Sequence, residues 1–481
     1  MRIFITGATG FIGRALVPAL RRNGHAVVVW ARSETRARAR LGADVDVVDA
    51  AAGRSRLIAA IEDCDAVINL AGEPILGGRW TAARRRTLED SRVALTDAIV
   101  DAIAAARRRP RVLVSGSAVG YYGDRADEVL TEQSEPGGDF LAQLCRRWEA
   151  AAQRAEGDGV RVVQIRTGVV LGRDGGALAQ MLPPFRMGLG GPIGSGRQYL
   201  PWIHLHDLVA IVLAALEDAR LRGPVNAAAP NPVTSREFAR VLGRTLRRPA
   251  LLPVPGLALK AIFGEAACVL LGSQRVDPAA LRACGFSFAF PTLDQALSDI
   301  LGGAPVAVGP VAGSTDADGR ALGNSDLRTR RPKYELRTTT ILNVPVEEAF
   351  AFFSKAENLG LLTPSAMRFS ISGDVPQIGE NATIDYQLRV GPIPIAWRSR
   401  ILDWRPGSRF VDVQERGPYR LWWHEHAFRP AGSSTVMEDR VYYAPPFSVL
   451  GRIANRLFIA PTLRRIFQYR ADVIRLRFGA A

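Results

Sequence analysis

A short glycine-rich turn near the start of the chain has the residue types that hold a diphosphate. Residues 6–13 read Thr-Gly-Ala-Thr-Gly-Phe-Ile-Gly and directly follow Arg2–Thr6, an apolar run typical of a β-strand. Glycines permit the tight turn, let a phosphate approach the backbone and let the next helix pack on the strand. The free N–H groups at the start of that helix attract the phosphates. The pattern predicts a dinucleotide site between the first strand and the first helix.

One arginine bears on the choice of dinucleotide. The second predicted strand, Ala26–Trp30, is followed by Ala31 and Arg32. At this place, about 20 residues beyond the glycines, an NAD site carries an Asp or Glu whose carboxylate accepts a hydrogen bond from the ribose 2′-hydroxyl. An arginine instead neutralises the 2′-phosphate of NADP and stacks on adenine. We therefore expect NADP rather than NAD, the alternative being that Arg32 is an ordinary surface arginine.

Two histidine pairs raise the question of a metal. His204 and His206 stand two residues apart beside Asp207, and on a strand both rings point to the same face. The sequence offers no evident third ligand, and the pair His424 and His426 calls for the same caution. We expect no metal site, and we assign His204 a place at the rim of a substrate pocket.

Composition excludes several functional classes. The 481 residues are 47% hydrophobic and 23% charged, which is typical of folded globular domains and excludes wholesale disorder. The net charge is +15, yet only three of the 62 basic residues are lysines, a bias typical of a whole proteome. Because no recognition motif accompanies the charge, we expect no nucleic-acid partner.

Cysteines and apolar stretches bear on the compartment. The four cysteines lie far apart without a C-x-x-C pair, which argues against a disulfide framework and favours a reducing compartment. The chain opens on a strand rather than on the core of a signal peptide. The longest apolar stretch, Leu251–Gly272, contains two prolines, Lys260 and Glu265, and so does not predict a membrane span. We expect a cytoplasmic protein without an integral membrane segment.

The pattern along the chain predicts two folded regions and a linker. In residues 1–301, short β-rich runs alternate with helical ones, which predicts an α/β fold with a doubly wound, Rossmann-type parallel sheet. Residues 302–333 are rich in glycine and almost free of large apolar residues, so we expect a flexible linker. Residues 334–478 predict an α+β domain in which an antiparallel sheet wraps one long helix that starts near Thr462.

Four further motifs follow the glycine turn in order. They are Asn69–Gly72 (NLAG), Ser115–Gly123 (SGSAVGYYG), Arg166–Gly172 (RTGVVLG) and Trp202–Leu208 (WIHLHDL). Together they resemble the extended short-chain dehydrogenase/reductases, most closely the sugar-nucleotide epimerase/dehydratase-like subgroup. Residues 251–301 are similar to the small domain of unknown function with which that subgroup ends, and residues 167–250 would form the substrate side.

This resemblance implies roles for individual residues. The residues implied to bind the cofactor are Gly7, Thr9, Gly10, Phe11, Ile12, Gly13, Arg32, Leu70, Ala71, Gly72 and Ser115. The candidate proton donors are Ser117, Tyr121 and Tyr122. The candidate substrate residues are Arg92, Cys145 and His204. A phenol needs a neighbouring positive charge to act near neutral pH, and Arg92 or Arg146 would supply it.

The sequence departs from this family at the residues that transfer the proton. The wider family uses a Tyr-x-x-x-Lys pair, but none of the residues four before Lys260, Lys333 and Lys355 is a tyrosine. In the helix where the pair belongs, Leu141 and Cys145 take the two places. Ordinary alcohol–ketone redox by the usual couple is therefore not expected.

The C-terminal region resembles a different superfamily. Val344–Phe350, Leu361–Pro364, Phe410–Asp412 and Trp422–Phe428 resemble segments of the START-like (SRPBCC) helix-grip domains. This resemblance implies an apolar ligand in a cavity between the sheet and the long helix. The alternative is that the tryptophans of this region fill a small core.

Three functions follow from these observations. The first is an NADP-dependent oxidoreductase or epimerase acting on a nucleotide-sugar-like or apolar small molecule. The second is a non-catalytic NADP-binding sensor or scaffold coupled to the C-terminal ligand-binding module. The third is a lipid-transfer module with a vestigial nucleotide fold. By the same resemblance, a homodimer would form through helices over Thr87–Ala106 and Asp139–Ala155.

Overall fold

The structure is a computed structural model that describes residues 1–42, 45–173, 175–302, 306–311, 332–431, 434–446 and 448–478. The chain divides into two compact units, Met1–Gly302 (the N-terminal unit) and Gly303–Ala481 (the C-terminal unit). No helix within the described ranges combines the length and the apolar character needed to cross a membrane.

The N-terminal unit alternates strands with helices, as the sequence predicts. Its strands are β1 (Arg2–Thr6), β2 (Ala26–Ala31), β3 (Asp46–Asp49), β4 (Ala66–Asn69), β5 (Val112–Ala118), β6 (Val129–Leu130), β7 (Arg161–Thr167), β8 (Val169–Leu171), β9 (Tyr199–Leu200), β10 (Trp202–His204), β11 (Gly223–Ala227), β12 (Val233–Thr234) and β13 (Arg275–Val276). Its helices are α1 (Phe11–Arg22), α2 (Glu34–Leu41), α3 (Gly53–Glu62), α4 (Ala82–Glu89), α5 (Leu95–Ala105), α6 (Phe140–Gln153), α7 (Gly176–Arg186), α8 (Leu205–Glu217), α9 (Ser235–Leu246), α10 (Gly256–Phe263), α11 (Cys268–Leu271), α12 (Ala279–Ala283) and α13 (Leu293–Gly302).

Seven of these strands form one parallel sheet in the order β11-β7-β5-β4-β1-β2-β3. Such strands are covered on both faces, which is why they read as nearly continuous Val and Ile runs. On one face, Ile61 of α3 and Ile103 of α5 join a buried cluster with Phe4 and Val67. The prediction of an α/β fold with a Rossmann-type sheet is confirmed.

The order of the strands creates a crevice beside β1. From β1 the chain builds β2 and β3 on one side, then crosses back to add β4 on the other side. Ligands of open α/β sheets bind where the strand order reverses, outside the carboxyl ends of the strands. The glycine turn, defined as residues 7–13, follows β1 at this reversal.

One predicted helix is interrupted. The sequence predicts a continuous helix over Thr87–Ala106, but a π-helical turn, Asp90–Ala94, separates α4 from α5. A π-helical turn accommodates one extra residue and occurs frequently at functional sites. This turn carries Arg92, which lies in the cavity described below.

The C-terminal unit is built on one antiparallel sheet. Its strands are β14 (Ala307–Pro310), β15 (Tyr334–Leu342), β16 (Ser370–Ile371), β17 (Thr383–Val390), β18 (Ile393–Arg405), β19 (Arg409–Arg416), β20 (Leu421–Ala431) and β21 (Ser434–Ala444), in the order β14-β15-β21-β20-β19-β18-β17-β16. Its helices are α14 (Val346–Phe353), α15 (Ser448–Ala454) and α16 (Ala460–Phe478). Helix α16 packs on the sheet through Leu463 and Phe467, which contact a cluster that includes Trp422.

The structure differs from the predicted linker at its start. Strand β14 lies inside the range 302–333 and pairs with β15, so these four residues belong to the sheet and not to a linker. Sheet pairing satisfies their backbone groups and overrides the weak strand propensity of this glycine-containing segment. Residues 303–305 and 312–331 of the predicted linker lie outside the described residues.

Close packing at Gly13 gives a testable consequence for stability. A Cβ atom at Gly13 would lie 2.4 Å from the Gly7 carbonyl oxygen, whereas a Cβ at Gly138 would meet nothing within 4 Å. We expect Gly13→Ala to destabilise the N-terminal unit by about 1–3 kcal/mol, since overpacking forces the backbone to shift. Calorimetry should show Tm several degrees lower for Gly13→Ala and unchanged for Gly138→Ala. Equal Tm values would contradict this description of the turn.

Candidate functional site

The glycine turn is held against the end of β4 by backbone contacts. Gly7 has a positive φ of 71°, and a Cβ there would lie 2.6 Å from the Leu70 carbonyl carbon. The Thr6 hydroxyl donates to Asn69 Oδ1 (2.6 Å), and the Ala71 N–H donates to Thr6 Oγ1 (3.3 Å). Only glycine fits at Gly7, because both the space and the backbone conformation exclude a side chain.

The turn leaves the start of α1 open. Gly10 is the N-cap of α1, no side chain caps this end, and the first turn carries no acidic residue. A Cβ on Gly10 would meet one atom within 4 Å, the Gly7 carbonyl oxygen at 3.2 Å. The first N–H groups of a helix have no partner within the helix and carry its positive dipole end. These features suit a diphosphate, which supplies the acceptors and the negative charge.

Two predicted cofactor residues near the turn have different contacts. The Phe11 ring packs on a glycine segment, since a Cβ at Gly175 would lie 2.4 Å from it. Ile12 lies in the wall of the cavity described below. The Thr9 carbonyl accepts a hydrogen bond from Arg40 (3.3 Å), a basic residue of α2 that the sequence interpretation missed. Phe11 therefore positions the turn, and Ile12 connects it to the cavity.

The Arg32 side chain is exposed to solvent just after the end of β2. Its side chain is 88% exposed, and its guanidinium lies 3.7 Å from the Glu73 carboxylate, which Arg84 also approaches to 3.7 Å. An exposed ion pair of this length contributes little to stability. The guanidinium is therefore available for another anion at little cost.

A cavity of about 750 Å³ lies beside the turn. Its wall includes Leu70, Ser117, Arg92 and Cys145, together with residues between 260 and 274 from the terminal segment. That segment is tied to the loop after β5, where Gln274 donates to the Gly123 carbonyl (3.0 Å). The structure thus brings part of the predicted cofactor and substrate residues to one place.

The helix face that carries the proton-transfer couple elsewhere in the family is turned into this cavity. Leu141 and Cys145 of α6 both line it, one helical turn apart. Burial, followed by the charge of Glu149, raises the pKa of the Cys145 thiol to about 12. A neutral thiol and an alkyl group cannot perform the exchange of a tyrosine–lysine couple. The direction of this shift disfavours a thiolate nucleophile at Cys145, since reactive cysteines have depressed pKa values.

Ser117 belongs to a buried ionic network. Its hydroxyl donates to Glu149 Oε1 (2.6 Å), and Arg166 donates to both oxygens of the same carboxylate (2.8 and 2.9 Å). Although burial opposes a charged Arg166, its hydrogen bonds with Glu149 keep its pKa above the ordinary value. The Ser117 proton is committed to this carboxylate. The Ser117 hydroxyl oxygen is therefore left as a hydrogen-bond acceptor in the cavity wall.

The two candidate tyrosines are engaged by the same network. Tyr122 is fully buried, its hydroxyl donates to Asn226 (2.7 Å) and accepts from Arg166 (3.0 Å), and burial raises its pKa to about 12. The Tyr121 ring covers the Arg166 guanidinium at 3.5 Å. Neither tyrosine is among the described residues that line the cavity. The Tyr122 hydroxyl is enclosed in the core, and the predicted role of Tyr122 as a proton donor stays a prediction.

Arg92 is a buried cation in the cavity wall. It is 9% exposed, donates to the Glu73 carbonyl (2.8 Å) and the Leu88 carbonyl (3.2 Å), and lies over the Trp148 ring at 5.4 Å. No ion pair joins it to a carboxylate among the residues that the structure describes. Burial lowers its pKa, although the charge of Glu73 partly opposes this effect. Such a guanidinium is suited to a substrate carboxylate or phosphate.

Three other predicted site residues, His204, Ser115 and Gly72, contact neighbouring residues of the fold. His204 caps α8, its Nδ1 accepting from the His206 N–H (3.0 Å), and its ring stacks on Phe290 at 4.0 Å. It is not among the described residues of the cavity wall, and its placement at the pocket rim stays a prediction. Ser115 is buried on β5 and donates to the Gly116 carbonyl, and Gly72 packs against Arg92.

Sequence reasoning missed Glu149 and Arg166 as members of the site. Glu149 follows Cys145 by one helical turn, and Arg166 opens the quoted motif Arg166–Gly172. Spacing along α6 was therefore a usable signal for Glu149. The pairing of the two residues depends on α6 packing against β7, which no local pattern reports.

The second cavity lies in the C-terminal unit. It has a volume of about 520 Å³ and a mostly apolar wall that includes Phe369, Ile401, Trp397 and Phe467. Tyr386 and Trp397 are stacked in this wall with ring centroids 5.9 Å apart. A cavity of this size and character suits an apolar small molecule.

Comparisons with known proteins identify the N-terminal unit. Residues 3–228 match the NAD dependent epimerase/dehydratase family, and residues 254–300 match a domain of unknown function, DUF1731. The chain is 45% identical over 303 residues to the chloroplastic SDR39U1 homolog of Arabidopsis thaliana. This alignment covers 63% of this chain and 87% of the Arabidopsis protein. It is 41% identical over 306 residues to human SDR39U1, covering 63% of this chain and all of the human protein.

A solved structure agrees with these matches. The crystal structure of human SDR39U1 (isoform 2), which contains NADPH, superposes with a TM-score of 0.58 at 40% identity and covers 62% of this chain and 99% of the human chain. The predicted resemblance is confirmed for this part of the chain. The chain belongs to the SDR39U1-like epimerase family of the extended short-chain dehydrogenase/reductases, whose members carry a C-terminal DUF1731 domain.

Proposed function

We propose that the N-terminal unit binds NADP at the glycine turn and acts as an NADP-dependent enzyme of the epimerase/dehydratase or reductase type. The observation that carries the proposal is the uncapped start of α1, with Gly10 open to an incoming diphosphate. The NADPH in the crystal structure of the human relative supports the same assignment.

The charges near the turn favour NADP over NAD. Arg32 stands 88% exposed at the end of β2, where the 2′-phosphate of NADP would lie, and Arg40 adds a second positive charge near Thr9. Bound NADP would supply or accept a hydride. Gly7, Gly10, Gly13 and the N–H groups of α1 would hold its diphosphate.

The cavity supports a small substrate that carries a negative charge. Arg92 is buried in the wall with only neutral partners, and an anionic group on the substrate would compensate its charge. Among nucleotide-sugar-like and apolar small molecules, we therefore favour those with a phosphate or carboxylate that reaches Arg92. Ser117 would accept a hydrogen bond from the substrate, because its own proton is held by Glu149.

A second candidate function rests on Leu141 and Cys145. These residues occupy the places of the usual proton-transfer couple and line the cavity. A chain that binds NADP without turning over a substrate would be a sensor or scaffold, coupled to a ligand in the C-terminal unit.

For the C-terminal unit we propose a START-like helix-grip domain that binds an apolar ligand. The antiparallel sheet, the packing of α16 against it and the cavity of about 520 Å³ support this proposal. A homodimer through the helices of residues 82–105 and 140–153 also remains a proposal, which light scattering of the purified chain tests. The cytoplasmic location stays a prediction.

The first prediction concerns the diphosphate. Gly10→Asp should weaken NADPH binding at least 100-fold, because the carboxylate would occupy the anion position at the start of α1. Aspartate is a favourable N-cap, so Tm should stay the same or rise. Gly10→Asn, which adds a side chain of the same size without charge, should weaken binding less. Calorimetric titration of the full chain measures both, and wild-type affinity in Gly10→Asp would exclude the turn as the phosphate site.

The second prediction concerns the choice of cofactor. Arg32→Ala should weaken NADPH binding about tenfold or more and leave NADH binding unchanged, since a charge-assisted hydrogen bond to phosphate contributes about 1.5–3 kcal/mol. Arg36→Ala removes an exposed arginine from the same region and is the matched control. An unchanged ratio of the two affinities in Arg32→Ala would contradict the NADP assignment.

The third prediction separates the enzyme from the sensor. With NADPH and a panel of small aldehydes and ketones carrying a carboxylate or phosphate, we expect consumption of the reduced nicotinamide, its hydride passing to the carbonyl carbon and a proton from water to the carbonyl oxygen. Arg92→Gln should lower kcat/KM at least tenfold and leave the NADPH Kd within about threefold, with Arg92→Lys in between. Arg86→Gln, an exposed position on α4, should behave as wild type. Tight NADPH binding without turnover across the panel would favour the sensor.

A further inference from the structure

Charged and imidazole side chains form a buried cluster beside the apolar C-terminal cavity. This carboxylate–imidazole cluster consists of Asp412 on β19, His424 and His426 on β20, Asp439 on β21 and Arg470 on α16. Asp412 stands opposite His424 across one strand pair, and Asp439 stands opposite His426 across the next. Since side chains alternate along a strand, all four strand residues share one face of the sheet.

Three atoms of the cluster converge on one point. Asp412 Oδ2 lies 3.0 Å from His424 Nδ1 and 3.3 Å from His426 Nε2, and the ligand atoms of all three residues lie within 4.8 Å of one another. Ligands about 2.1 Å from a tetrahedral or octahedral metal ion are about 3.0–3.4 Å apart. The two distances from Asp412 Oδ2 fit the first coordination shell of one ion, and the two nitrogens lie within 4.8 Å of each other.

The two ring nitrogens that do not face Asp412 lie close to a second carboxylate, that of Asp439. Asp439 Oδ1 lies 3.3 Å from His424 Nε2 and 2.7 Å from His426 Nδ1. Arg470 Nε lies 3.1 Å from the other oxygen of Asp439. Metal-binding histidines almost always donate their second N–H to a carboxylate, carbonyl or water, which fixes the ring. Asp439 has this position for both rings, and Arg470 holds Asp439.

Without a metal ion, protons on the two imidazole rings would have to make every contact with the two carboxylates, and they do so poorly. Each of the four ring nitrogens faces a carboxylate oxygen, so hydrogen bonds at all four contacts need two doubly protonated rings. The ring centroids of His424 and His426 are 3.9 Å apart, and an Arg470 nitrogen lies 3.2 Å from His426 Nδ1. Three positive charges would then be in contact in a buried place. A divalent cation replaces the two inner protons and leaves both rings neutral, each with one N–H for Asp439.

We propose that Asp412, His424 and His426 bind one divalent transition-metal ion in the wall of the C-terminal cavity. Two imidazoles and one carboxylate suit Zn²⁺ or Fe²⁺, and three protein ligands leave coordination positions open. Asp412, His424 and His426 all line the cavity, whereas Asp439 does not do so among the described residues. The open positions therefore face the cavity, where an oxygen of an otherwise apolar ligand would reach the ion.

The experiment measures metal bound by the full chain, purified without a histidine tag. The protein is stripped with a chelator, dialysed against Zn²⁺ or, without oxygen, against Fe²⁺, and analysed by mass spectrometry of the elements. We expect about one ion per chain. Substitution with Co²⁺ should give visible ligand-field bands typical of a site with nitrogen and oxygen ligands.

Variants locate the ion. His426→Ala and Asp412→Asn should each reduce the bound metal to a small fraction of one ion per chain, and Asp439→Asn should weaken affinity about 10- to 100-fold. His206→Ala removes a histidine of the other His-x-His pair and should retain about one ion per chain. Circular dichroism and Tm identify any variant that fails to fold.

Two results would overturn the proposal. One is less than about a tenth of an ion per wild-type chain after reconstitution with either metal, which needs no variant. The other is full metal content in folded Asp412→Asn and His426→Ala, or loss of the metal in His206→Ala.

Discussion

The close approach of two pieces of backbone sets the geometry of the N-terminal unit. The turn after β1 passes so near the end of β4 that a methyl group at Gly7 would overlap the Leu70 carbonyl. This contact lets α1 begin directly at the end of the sheet, with its N–H groups at the reversal of strand order. The buried pair of Thr6 and Asn69 fixes the two strands at that height. The position of the dinucleotide crevice, and of the cavity beside it, follows from this contact.

A buried polar network lies under the cavity where the wider family has its proton-transfer couple. Arg166 donates two hydrogen bonds to the Glu149 carboxylate. The same carboxylate accepts from the Ser117 hydroxyl, and Arg166 also donates to the Tyr122 hydroxyl oxygen. Removing one partner of such a pair leaves an unpaired charge in the core, which costs about 3–5 kcal/mol. The network is therefore fixed in position. It orients side chains around the cavity without providing an exposed acid.

Much of the fold could be predicted from the sequence, and so could part of the site. The strands around the glycine turn have strong local signals, because apolar runs and glycines report burial and backbone conformation directly. The burial of Tyr122 and His204 could not be predicted, since residue type does not show whether a hydroxyl or a ring is enclosed. The pair His424 and His426 was noticed, but its partner Asp412 was missed because strand register joins them, not spacing along the chain.

The π-helical turn before α5 has a consequence for how substrate preference changes in evolution. An α-helix advances about 100° per residue, so deleting one residue from Asp90–Ala94 would rotate everything that precedes it against everything that follows. Thr96, which accepts from both Asn69 and Trp148, anchors the following part. Loss of a single codon would then swing the Arg92 guanidinium away from the cavity while the sheet stayed intact. Insertion or deletion at this turn is thus a second route, besides substitution of Arg92 itself, to a cavity without this cation.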